Sequence, residues 1–142
     1  MAHLTLVQAE AAIDAALQKG RELGLKPLTV AALDAGGHLI ALKRQDGASN
    51  LRPQLAIGKA AGALALGVSS RAIGEMAAER PIFIAALGPL ASQGLIPAAG
   101  GVIVVDRDGD VIGAIGATGD SSDNDEACVL AGLLAARLLA KS

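Results

Sequence analysis

Tryptophan and tyrosine are absent from this chain, and phenylalanine and cysteine each occur once, as Phe83 and Cys128. Without aromatic faces there is no platform on which bases can stack, and a formal net charge of −2 supplies no basic field. Nucleic acid is therefore not an expected partner. A lone cysteine cannot close an internal disulfide, and no secretory signal opens the sequence, so a reducing, cytoplasmic setting is expected. The two histidines, His3 and His38, show no paired metal-ligand spacing, and with one cysteine they cannot build a structural zinc site. No metal is expected. Long apolar runs are missing too: Gly, Pro or charge interrupts each of them before the ~18 residues that a membrane span needs. Neither a Walker lysine motif nor a G-x-G-x-x-G ahead of a helix is present.

What remains is abundant. The chain has 142 residues, 52% of them hydrophobic, and reads as one domain over 1–142 with a core of Ala, Leu, Ile and Val. Stretches such as Ala60 to Gly67 and Leu130 to Ala136 carry little but small and aliphatic side chains. Such smooth surfaces let helices approach one another or a sheet closely, and so much apolar material on a short chain points to a homo-oligomer.

Local signals set the order of elements. Thr5 and Gln8 have capping-box spacing, and Leu6, Ala9, Ile13, Ala16, Leu17 and Leu23 recur at helical intervals, which predicts a helix from 5 to about 24, ended by Gly24. Leu28 to Asp34 and His38 to Lys43 flank Asp34-Ala-Gly-Gly and read as a hairpin. Val102 to Val105 and Val111 onward flank Asp106-Arg-Asp-Gly and repeat that design. Between the hairpins Pro53 opens a helix through Leu66, Ser69 or Ser70 caps another through Arg80, and Pro81 starts a further short segment. Residues 94–101 are expected as a loop or irregular edge strand. The last helix is predicted from about Ser122 to Leu139, with Arg137 and Lys141 favouring its C-terminal dipole. The spacing allows a capping box from Ser122 to Asp125 or from Asp123 to Glu126. Strands joined as hairpins imply an α+β domain of two or three layers, an antiparallel sheet with helices packed on it.

The densest chemistry lies between Asp120 and Glu126, where four carboxylates and Asn124 precede the last helix. Capping explains part of this cluster, and the excess marks a candidate site. Asp106-Arg-Asp-Gly-Asp looks like the start of a calcium loop, but Val111 and Ala117 stand where that loop needs Gly and Glu, so it reads as a hairpin turn. His38 is a candidate ligand or acid–base group. Lys43, Arg44, Asp46, Asn50 and Arg52, with Lys59 among the alanines of the next helix, can hold an anion. A Ser–His–Asp set from Ser121 or Ser122, His38 and Asp46 can be written, although no spacing brings those three together.

Asp34 to Ala48, the segment at Lys59, the Pro97 to Gly101 loop and Val111 to Glu126 together resemble the GlcG/HbpS-like family, often called haem-degrading and found also as the C-terminal part of PduO-type proteins. The likeness spans nearly the whole chain. It implies a profilin-like α/β sandwich, self-association as a dimer or octamer, and haem as a possible ligand. His38, His3, Met76 and Cys128 are the candidate axial ligands, between walls that are aliphatic only.

Two functions follow as expectations. In the first, a cytoplasmic homo-oligomer binds haem or a small anionic metabolite in a groove near His38, Arg44, Asp46, Lys59, Asp120 and Asn124. Arg44 and Lys59 meet ligand carboxylates there. In the second, an enzyme without an organic cofactor uses Asp123 or Glu126 as a general base beside His38 or Lys59, acting on a small hydroxy or keto acid. A purely structural, scaffolding role is the third possibility.

Overall fold

The protein is described here by a computed structural model covering residues 2–142. Helix α1, Leu6–Glu22, begins where the sequence places it: the Gln8 N–H donates to Thr5 Oγ1 (3.1 Å) and the Thr5 N–H donates to Gln8 Oε1 (3.0 Å). These two bonds satisfy donors that a helix N-terminus otherwise leaves free. The first hairpin follows as β1, Thr29–Asp34, and β2, Leu39–Arg44. Three helices come next: α2, Arg52–Leu66; α3, Ser70–Glu79, capped by Ser69; and α4, Pro81–Leu87, which runs into a 3-10 turn. The second hairpin is β3, Gly101–Val105, and β4, Val111–Thr118. Helix α5, Ser122–Ala135, and a two-residue strand β5, Leu139–Ala140, complete the chain.

All strand pairs are antiparallel, in the order β2-β1-β4-β3-β5. The two hairpins are thus joined through β1 and β4, with Thr29 opposite Thr118 and Asp34 opposite Gly113. Period-two alternation then assigns the faces. Val30, Ala32, Val102, Val104, Ile115 and Ala117 enter the main core, where they meet Ala9, Ile13 and Ala16 of α1 and Val129 and Leu133 of α5. Leu33 and Ala114 point the other way, against Ile57, Ala60 and Leu64 of α2. The result is three layers, helix pair on sheet on helix, and an α+β fold. Each large aliphatic side chain sealed in it, such as Ile13 or Leu133, contributes about 1.5–3 kcal/mol.

The α2 layer is unusually close. A Cβ on Gly116 of β4 would land on the carbonyl oxygen of Ala56, and one on Gly101 of β3 on the carbonyl oxygen of Lys59. Helix backbone therefore rests on sheet backbone, which only glycine permits.

The C-terminus corrects the predicted helix. Periodicity continues to Leu139, but α5 stops at Ala135, and Arg137 takes a left-handed conformation with φ of 58°. Backbone bonds from Arg137 N–H to Leu134 O and from Leu138 N–H to Leu133 O close the turn. The free edge of β3 then captures the tail: Val104 and Val105 pair with Ala140 and Leu139, and the Lys141 N–H donates to Ile103 O at 2.8 Å. Lys141 consequently serves the end of α2 instead of α5, with Nζ donating to Gly67 O. The α5 cap also differs. Ser121, one residue before the first predicted box and two before the second, accepts from the Asn124 N–H at 3.2 Å.

Candidate functional site

The expected single groove divides into two ends of the sheet. His38 lies beside Asp34, at the Asp34–Gly113 end of β1 and β4, whereas Arg44, Lys59 and the acidic turn gather at the Thr29–Thr118 end. Five residue steps of strand, about 17 Å, separate them. Within one protomer, His38 is therefore not brought together with Lys59 and residues 120–126, nor with Ser121 or Ser122 as a Ser–His–Asp set would need.

At the first end, the β1–β2 turn is built on Asp34. Its Oδ1 accepts from the Gly36 and His38 N–H groups at 2.9 Å each, and lies 3.1 Å from His38 Nδ1. The bond from the His38 backbone is the main reason the Asp34 carboxyl is held below its usual range. An ionised carboxylate can only accept, so Nδ1 is the ring nitrogen that donates to it, and the tautomer this selects is the one whose Nε2 keeps its lone pair. The side chain is 80% exposed. Around it Ala35, Val111, Ile112 and His3 line an open, largely aliphatic groove of about 450 Å³. Gln93 braces the turn from behind, its Nε2 donating to Gly37 O at 2.6 Å.

At the other end, Lys59 is almost wholly buried on α2. Its Nζ donates to Ala117 O (3.0 Å) and to Asp125 Oδ2 (3.2 Å). Burial pushes the Lys59 ammonium below its ordinary pKa, and the Asp125 charge opposes that shift. Asp125, equally buried, uses Oδ1 to accept from the Asp120 N–H at 2.9 Å. One ion pair thus joins α2, β4 and the first turn of α5.

The remaining acids of that turn also have partners. Asp123 and Glu126 both bind the Arg71 guanidinium, tying α5 to α3. Asp120 accepts from Asn124 Nδ2 and from the N–H groups of Ser121 and Lys26. Those bonds, Asn124 first, lower its pKa to about 2. The stability this brings is complete above the unfolded value near 4 and is lost as pH falls through about 2. A carboxyl NMR titration of Asp120 is expected to show a midpoint near 2 that rises towards the ordinary range in Asn124→Ala. An ordinary midpoint in the unsubstituted protein would show that these bonds do not persist in solution.

Arg44 and Asp46 are exposed at the end of β2 and just beyond it, and neither forms an ion pair among the described residues. Of the other candidate iron ligands, Cys128 is sealed within the α1–α5 core, where burial raises its thiol pKa, and it cannot face a ligand groove. Met76 is half-buried on α3. The Asp106, Asp108 and Asp110 carboxylates do lie within 4.8 Å of one another, but Asp106 accepts from the N–H groups of Asp108 and Asp110, as a tight turn requires. No helix among the described residues is long and apolar enough to cross a membrane.

Sequence reasoning missed Asp34 as the partner of His38, although Asp and His four residues apart across a tight turn was a usable signal. It also missed Arg71, Gln93 and the Lys59–Asp125 pair, whose members meet only through tertiary packing.

The family model described as haem degrading protein, HbpS-like, matches residues 4–134. The crystal structure of HbpS superposes with a TM-score of 0.80 at 28% identity, covering 94% of this chain and 90% of that one. A PduOC:haem complex gives 0.87 at 21% identity, covering 99% and 100%, and Klebsiella pneumoniae protein ORFY gives 0.85 at 24%, covering 96% and 93%. At those two identities the likeness concerns the fold. Among curated proteins no sequence matches.

Proposed function

This chain belongs to the HbpS-like haem-degrading family, and from that premise we propose that it is a small-ligand-binding protein that takes haem through His38. One observation carries the reading: an exposed imidazole in the wall of an apolar groove, its Nδ1–H fixed on an ionised carboxylate and its Nε2 without a hydrogen-bond partner among the described residues. A carboxylate behind a ligating histidine sets its tautomer and ring direction and raises its basicity. Ala35, Val111 and Ile112 fit the flank of a porphyrin, and His3 stands in the same groove. Bound there, haem would supply an iron centre for exchange of ligands or electrons.

The groove is open, so one protomer covers a flat ligand on one side only. Self-association supplies a second wall. Ile82 and Phe83 of α4, Leu90 and Leu134 leave apolar surface suited to it. Acid–base catalysis by Asp123 or Glu126 is less well supported, because both carboxylates face Arg71, Lys59 is bound to Asp125, and His38 is at the other end.

Haemin titration of the apo-protein is expected to give a saturable Soret shift. In His38→Ala affinity should fall at least tenfold, since an iron–imidazole bond is worth more than the ~1.4 kcal/mol per decade. Asp34→Asn should weaken binding less while altering the spectrum of the bound iron. Binding indifferent to His38 would remove the assignment.

A further inference from the structure

At the end of the sheet opposite His38, a buried hydroxyl without a partner shares a cross-strand row with one arginine and with the threonine that a second arginine binds. Because Val30 and Ala32 enter the α1–α5 core and Leu33 packs on α2, Thr29 projects towards the α2 layer. In register it stands between Arg44 of β2 and Thr118 of β4, and residues directly opposite one another project to the same side. Thr29 is fully buried, yet its Oγ1 makes no hydrogen bond, alone among buried side-chain polar atoms of the described residues. Leaving such a group unpaired costs stability, and a missing ligand atom is one resolution.

The first turn of α2 reaches the same row. Leu51 offers no capping side chain, the turn holds no acidic residue, and Arg52 occupies its first position. A cation there opposes the helix dipole, at a place where sequences favour Asp or Glu. Arg52 donates Nη1 to Thr118 Oγ1 (2.8 Å) and Nε to Ser49 Oγ (3.2 Å), both neutral acceptors. Among the described residues, neither Arg52 nor Arg44 has a carboxylate partner. The acids of the neighbouring turn are already bound, Asp125 to Lys59 and Asp120 to Asn124.

We propose that this end of the sheet is a second ligand site, taking a small oxyanion between the Arg44 and Arg52 guanidiniums, with the Thr29 hydroxyl donating to it and the α2 N-terminus behind. Carboxylate and phosphate groups share the chemistry that such a site recognises, planar or tetrahedral oxygens met by forked donors. Lys59 is no part of it, its ammonium being directed to Ala117 and Asp125. The site is independent of haem binding.

The test is calorimetric titration with inorganic phosphate and, separately, with succinate, at ionic strength held constant with sodium chloride. Saturable binding of either probe, weakened about tenfold by Arg52→Gln and by Arg44→Gln, is expected for loss of a charge-assisted contact. Phosphate alone binding identifies a phosphate-bearing ligand, and succinate alone a carboxylate. Thr29→Val should weaken binding while leaving the anion-free protein at least as stable, since it removes an unpaired hydroxyl. Arg52→Gln also loses the Thr118 bond, so Arg44→Gln carries the test if that variant folds poorly. Absence of binding beyond the chloride control, or binding untouched by Arg44→Gln and Thr29→Val, overturns the proposal.

Discussion

Asp125→Ala is expected to cost the fold about 3–5 kcal/mol, because it strands the Lys59 ammonium in a site with almost no access to water. Total stability for a domain of this size is on the order of 5–15 kcal/mol, so the loss is a large share of it. In thermal unfolding the midpoint should fall by roughly 10 °C or more. The penalty belongs to the orphaned charge more than to the pair. Replacing both partners, as Lys59→Met with Asp125→Leu, should therefore recover much of it. Recovery should be incomplete, since Ala117 O and the Asp120 N–H would lose their side-chain partners. A loss under about 1 kcal/mol in Asp125→Ala would mean that water reaches Lys59 and the pair is not sealed.

The second large effect is expected at Gly116. In Gly116→Ala the new methyl meets the Ala56 carbonyl, which is helix backbone and cannot turn aside as a side chain can. Either α2 lifts or β4 sinks, and the expected cost is about 3 kcal/mol, the upper end for an overpacked core. Gly88 provides the control. It has helical dihedrals and no atom within 4 Å of its virtual Cβ, so Gly88→Ala should be close to neutral. Urea unfolding of the two variants separates steric conflict from the general effect of adding a methyl group. Equal stabilities would show that the helix adjusts without penalty.

Much of this architecture was legible because its determinants are local. Thr5 with Gln8, Pro53, Ser69 and the two Asp-containing turns each lie within a few residues of what they control. The order of strands was not legible, since the contact that joins the hairpins pairs β1, Thr29–Asp34, with β4, Val111–Thr118, from far along the chain. The end of α5 misled for a related reason: periodicity reads residues 136–139 as more helix, while an unpaired strand edge elsewhere in the chain competes for the same backbone groups. The acidic stretch before α5 shows the limit for sites. Its excess over capping needs was real. Its causes were Arg71 and Lys59, cations from two other helices that no local spacing identifies.

The backbone-on-backbone seat of α2 bears on how the molecule can move. Packed layers ordinarily slide by small rotamer adjustments of the side chains between them. Where Ala56 and Lys59 lie directly over Gly116 and Gly101, that cushioning layer is absent. Helix and sheet must travel together or separate outright, so this half of the protein behaves as a plate without a shear plane. Adaptation to a bound molecule then falls to what lies outside the plate: the β1–β2 turn that carries His38, and the exposed segment that carries Arg44 towards α2.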